Sequence, residues 1–121
     1  MRPEPVRPLP AAAGPAPAGP RLDVYPLTGR KGFRAAGEVS LPTRGIWERA
    51  LGRAVREGED VYHLELSALT FVDVAGADAL AGAARSLGTG RRLVLYRPPD
   101  SLPRILGLLW PGLTGIEVST S

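Results

Sequence analysis

Asp73, His63 and Glu65 lie close together in the middle of the chain, and their types are the ones that suggest chemistry. A histidine beside a carboxylate is half of a general-base pair, but it needs a nucleophile or an orienting acid set against it. Glu65 falls on the same strand face as His63 and could pair with it, yet no nucleophile accompanies them. His63, the only histidine, therefore reads as a packed or partly exposed sheet residue. Asp73 has no second acid or histidine beside it, so it makes no metal site. Its better reading is a helix N-cap, because an aspartate carboxylate accepts the orphan N–H groups of a first turn. Val74 and Ala75 would then sit at the positive end of a helix dipole, where an anion is favoured but neither side chain supplies one.

Other catalytic and binding classes find no residues. The chain has no cysteine, which removes disulfides, thiolate nucleophiles and zinc-thiolate sites. Gly29, Gly32 and Gly37 do not form a phosphate loop, since neither GxxxxGK[ST] nor a GxGxxG after a strand occurs. The residues thus point to a non-enzymatic protein with no metal and no cofactor. The formal charge of +3 comes mostly from Arg2, Arg7 and Arg21 set against Glu4 near the start. What remains is close to neutral, with bases scattered among acids, so nucleic acid is not the expected partner.

The elements that must position Asp73 follow from periodicity. Seven of the 13 prolines occur in the first 20 residues, among alanine and glycine. That composition cannot bury enough apolar surface to order itself, so 1–20 reads as a disordered tail and 21–121 as one small domain. No run approaches the roughly 20 apolar residues of a membrane span, and none fits a signal peptide; the expectation is a soluble, cytoplasmic protein.

Leu22–Tyr25 and Phe33–Val39 read as strands joined by the turn cluster Thr28–Gly32, a hairpin. Ser40 or Thr43 caps a helix whose apolar stripe is Ile46, Trp47, Ala50, Leu51, Ala54 and Val55, ended by Gly58. Arg44–Glu48 and Arg53–Glu57 are spaced to pair on its other face. Val61–Leu66 reads as a central strand covered on both faces, ending near Ser67 before a short loop. Alanine-rich Val74–Leu87 is a second helix, with side chains small enough to lie close on a sheet. Leu93–Tyr96 is a buried strand. Asp100 or Ser101 caps a third helix that Pro111 stops, and Gly115–Val118 is a last strand. Trp47 with Leu108, Leu109 and Trp110 reads by default as core, with partial exposure as the alternative. The order ββαβαβαβ implies an α/β domain whose central sheet is mostly parallel after an N-terminal hairpin, with three helices.

At this point the sequence resembles the STAS domain, the fold of anti-sigma-factor antagonists, from about Leu22 to Val118. Gly37-Glu-Val-Ser40 resembles the family's turn before the first helix. Leu69-Thr-Phe-Val-Asp-Val-Ala-Gly76 resembles its Leu-Thr-Phe-Ile-Asp-Ser-Ser-Gly signature, and Arg92-Leu-Val-Leu-Tyr-Arg-Pro-Pro99 resembles its third unit. The resemblance implies a protein-binding regulator. In that family the first serine after the signature aspartate is phosphorylated by a partner that is both anti-sigma factor and kinase, and the dephosphorylated form binds that partner. Here the matching position is Val74, followed by Ala75, so the switch has no hydroxyl. Ser67 and Thr70 are nearby hydroxyls, each more simply a strand-end or turn residue. The implied contact surface is Gly37, Glu38 and Ser40 with Asp73, Val74, Ala75, Ala77 and Asp78. The implied partner is an anti-sigma factor with a serine-kinase fold. Alternatives are a small STAS subunit of an ABC lipid transporter, which would meet its ATPase, and a ligand-sensing domain with a cleft near the second helix.

Overall fold

Every apolar stretch of the sequence becomes an element, and the elements follow the expected order. The computed structural model describes residues 19–120, so the tail expected over 1–20 lies outside the described residues except for the exposed Gly19 and Pro20. The elements are β1 (Leu22–Pro26), β2 (Gly32–Val39), α1 (Arg44–Glu57), β3 (Val61–Val72), α2 (Val74–Ser86), β4 (Arg92–Tyr96), α3 (Ser101–Leu109) and β5 (Ile116–Ser119).

The five strands form one sheet in the order β1-β2-β3-β4-β5. The β1–β2 hairpin is antiparallel, with Leu22 opposite Gly37, and the other three pairings are parallel. Each crossover steps one strand further in the same direction. Right-handed crossovers taken in one direction put all their helices on one face. Burial agrees: Tyr62, Leu64, Leu66, Leu93 and Leu95 are buried, while Arg34, His63, Glu65 and Tyr96 on the other face are exposed or half-buried, and Val94, in the middle of that face, is buried among its neighbours. The sheet is therefore covered on one face only, which corrects the expectation that β3 is covered on both. The core between sheet and helices holds Trp47, Leu51, Leu64, Leu80, Leu95 and Leu102, all essentially inaccessible to solvent.

β3 does not end near Ser67 but continues to Val72. Its ladder with β4 stops at Glu65–Tyr96, and its second half pairs with β2 alone, through register shifts between Arg34 and Ala36 and between Gly37 and Glu38. Irregularities of this kind re-aim side chains, and the buried residues Leu66, Leu69 and Val72 are spaced by three rather than two.

α1 is entered through a 3-10 turn, Leu41–Thr43. The Thr43 hydroxyl accepts the Ser40 N–H at 3.0 Å and donates to the Glu38 carbonyl at 2.8 Å. Ser40 stands at the N-cap of the 3-10 turn and Thr43 at that of α1, but the Ser40 hydroxyl is buried and makes no hydrogen bond among the described residues. Gly58 closes α1 with φ +73°, the left-handed conformation that suits glycine. Among the described residues the ion pairs are Arg21–Asp23 and Arg92–Glu117, both at the surface; Arg44–Glu48 and Arg53–Glu57 do not form. Asp100 sits at the N-cap of α3 without a side-chain bond, and the Leu102 N–H goes instead to the Pro99 carbonyl. Trp47 is core and Trp110 half-buried, whereas Leu108 and Leu109 face solvent.

Candidate functional site

The chain leaves β3 at Val72 and turns into α2 at Asp73, whose backbone is extended (φ −80°, ψ 175°). The Asp73 Oδ1 accepts the Gly76 N–H at 2.7 Å, the cap expected from the sequence. The Asp73 N–H donates to the Val39 carbonyl at 3.0 Å, tying the helix start to the end of β2. Gly76 is where backbone meets core: a Cβ there would lie 2.6 Å from Val39 Cγ1 and 2.9 Å from Val72 Cγ1. Its carbonyl accepts the Trp47 Nε1–H at 3.0 Å. A side-chain cap, a strand carbonyl and a buried indole therefore fix the first turn of α2.

On this rigid mount Val74 is 54% exposed, Asp78 is exposed and Ala75 is half-buried. Ala77 is fully buried beneath the turn, so it supports the surface from inside and cannot line it. Glu38 and Ser40 are half-buried at the end of β2, on the side from which Asp73 is held. Gly37 has φ +123°, and a Cβ there would collide with the Arg21 backbone, so its role is to let β1 close on β2. Two large apolar side chains at this end of the sheet were not anticipated from the sequence: Phe71 (48% exposed) and Leu41 (72%). The signal was present, since Leu41 stands alone between Ser40 and Pro42 and Phe71 directly precedes the turn into α2.

The hydroxyls near the site are placed differently. The Thr70 hydroxyl donates to the Gly37 carbonyl at 3.1 Å. Ser67 is exposed, and its N–H donates to Glu65 Oε1 at 2.8 Å. Burial works to raise the Glu65 pKa, but the Ser67 hydrogen bonds and the Arg97 and Arg34 charges outweigh it and hold the carboxyl below its ordinary value. Glu65 therefore serves Ser67 and not His63. His63 Nδ1 lies 2.8 Å from the Tyr96 hydroxyl, the two rings stack at 5.6 Å, and the Arg30 guanidinium covers the Tyr96 ring at 4.8 Å. Burial first, then Arg30 and Arg92, hold the imidazole below the usual histidine pKa. This cluster is on the open face of the sheet, and it brings no nucleophile to His63. Among the described residues no group of three histidine, aspartate or glutamate side chains converges as a metal site, and no helix is long and apolar enough to cross a membrane.

The helix-mounted turn, the single-faced parallel sheet and the leading hairpin together have a family. The STAS domain family model matches residues 23–109. The chain belongs to the STAS family. Its fold is similar to that of an anti-sigma factor antagonist from Mycobacterium paratuberculosis, at a TM-score of 0.61 and 24% identity, over 77% of this chain and 80% of that one. It is similar also to the anti-sigma factor antagonist SpoIIAA in its unphosphorylated form, at a TM-score of 0.61 and 16% identity, over 84% of this chain and 89% of that one. Among curated proteins no significant match is found. STAS domains of the anti-sigma antagonist kind are generally regulatory rather than catalytic.

Proposed function

We propose that this STAS domain is a protein-binding regulator of the anti-sigma factor antagonist kind, held permanently in the binding-competent form. The observation that supports this most is Val74: an exposed aliphatic side chain on the first residue of a rigidly capped helix, where the family signature carries a phosphorylatable serine. A phosphate at that place would add nearly two negative charges and three acceptor oxygens to a contact surface. Valine forbids it. Phe71 and Leu41 enlarge the apolar surface at the same end of the sheet, and Asp78 and Glu38 give it a polar border. Large apolar side chains ringed by polar ones are the surface chemistry of partner docking. The favoured partner is an anti-sigma factor with a serine-kinase fold, met in the cytoplasm.

The alternatives draw less from the structure. The groove between α1 and α2, where a sensory ligand would sit, is open, with an apolar floor of Leu51, Val55, Ala79 and Ala83 and the polar side chains of Glu48, Arg56 and Ser86 along it. No feature of the surface favours a transporter ATPase.

The test uses purified kinase-fold anti-sigma regulators from the same genome, with wild type, Val74→Asp and Val74→Ser. Wild type should form a stable complex and take up no phosphate at position 74 in the presence of ATP. Val74→Asp should fold normally and fail to bind, and Val74→Ser should bind until ATP is added and then be released as a phosphoprotein. Equal binding by wild type and Val74→Asp would put the contact surface elsewhere.

A further inference from the structure

At the opposite end of β2 from Val39, a small cavity of about 160 Å³ closes between the β1–β2 turn and the last turns of α1. Tyr62 lies at its base, 4% exposed, with its ring packed 6.3 Å from Phe33 in the core. The Tyr62 ring is buried, but its hydroxyl is not closed off from solvent: it reaches the cavity and makes no hydrogen bond to protein among the described residues. Burial, followed by the Glu57 carboxylate, raises its pKa against a smaller pull from Arg53, so the phenol stays protonated and can donate. Lys31 from the turn and Arg53 from α1 stand at the mouth, with Arg30 on the rim and Glu57 the one acid. Arg53 and Glu57 are four residues apart, yet they make no ion pair, which leaves the guanidinium fork available.

We infer that this cavity is a binding site for a small oxyanion, a phosphate or a short carboxylate, held by the Tyr62 hydroxyl, Arg53 and Lys31. The donors come from three separate places in the chain, strand, helix and turn, and line one space. A planar guanidinium and an ammonium are the groups that take carboxylate and phosphate oxygens, and charge-assisted bonds of this type are the strong ones. The size sets the class. Ligand sites for drug-sized molecules run from about 300 to 1,000 Å³, so a nucleotide does not fit. The occupied site would join the β1–β2 turn to α1 at the end of the sheet away from Val74, and it rests on no part of the proposed partner surface.

The test is an NMR titration of the isotope-labelled full chain with inorganic phosphate and, separately, with acetate, each against sodium chloride at equal ionic strength. Saturable shifts confined to the 27–32 turn, the Arg53 side chain and the Tyr62 ring are expected for at least one of the two oxyanions. The stronger binder tells phosphate from carboxylate. Tyr62→Phe and Arg53→Gln should each weaken that binding about tenfold or more. Because the Tyr62 hydroxyl bonds to no protein group among the described residues, Tyr62→Phe should leave the melting temperature close to wild type in the absence of ligand. Equal shifts with chloride, shifts that never saturate, or undiminished binding by Tyr62→Phe would each overturn the site.

Discussion

On the helix-covered face of the sheet, Tyr62, Leu64, Leu66, Leu93 and Leu95 are buried against the helices; on the other face stand Arg34, His63, Glu65 and Tyr96, exposed or half-buried, with Val94 the buried residue among them. The same strands make both faces, so backbone geometry and strand propensity are held constant between them. What differs is solvent. Apolar area removed from water stabilises by roughly 25 cal/mol per Å², whereas exposed rings and ion pairs contribute tenths of a kcal/mol. The open face carries polar–aromatic contacts: Arg30 over Tyr96, Arg34 over Tyr25 at 5.9 Å, and Arg92 with Glu117 at 2.9 Å. The comparison teaches that this small domain takes its stability from one layer, and that its surfaces are free to be specialised.

The sharpest way to break that contrast is a matched pair of truncations. Leu64→Ala on the covered face should destabilise by about 2–5 kcal/mol, and Tyr25→Ala on the open face by less than about 1 kcal/mol, both read by urea denaturation. Similar losses for the two would mean that the open face is covered in solution. At the edge of the covered layer, Gly76→Ala should cost about 1–3 kcal/mol, because its methyl meets Val39 and Val72 inside contact distance. Stability equal to wild type would show that the α2 start can lift without penalty. Asp73→Ala should cost about 1 kcal/mol through loss of the Gly76 bond, with thermal unfolding as the measure, while Asp73→Asn should retain most of the cap.

The smallest expected effect belongs to the open face and is one of pH. The His63 pKa is lowered on folding from an ordinary 6.5, so below that pH the unfolded chain binds the proton more readily than the folded one. Stability is full above about pH 6.5 and declines as pH falls through the lowered folded value; His63→Gln should remove that slope. Glu65, lowered from an ordinary 4.5, contributes in a separate window, with stability present above that pH and lost below it. Urea midpoints from about pH 2 to 8 separate the two, and an unchanged slope in His63→Gln would assign the upper window to another group.

The fold was largely legible because its helices are amphipathic and most of its strands are bounded by turn residues. The Trp47, Ala50, Leu51 and Ala54 stripe of α1 is buried as its spacing requires, and Ile46 and Val55 at its margins are left partly exposed. The second half of β3 was hidden for a definite reason: two register shifts change its buried spacing to three, which resembles neither a regular strand nor a helix. The openness of the sheet was visible and misread, since His63 and Glu65 already alternate with Tyr62, Leu64 and Leu66. At the site, the Asp73 cap was readable from one residue type. The burial of Ala77 and the exposure of Phe71 and Leu41 were not, because they depend on how strand and helix meet. Tyr62 was read only as a strand residue, for the turn and helix that line the cavity with it are separate from it in sequence.

The bond from the Trp47 indole to the Gly76 carbonyl gives the molecule an internal optical gauge. The ring is wholly buried and bonds to the first turn of α2, so any event that shifts that turn alters the polarity sensed by the excited indole. Trp110, half-buried beyond α3, is the other tryptophan, and replacing it with phenylalanine isolates the signal. Engagement of a partner at Val74 can then be followed as a change in native emission, without attaching a dye to the surface under study.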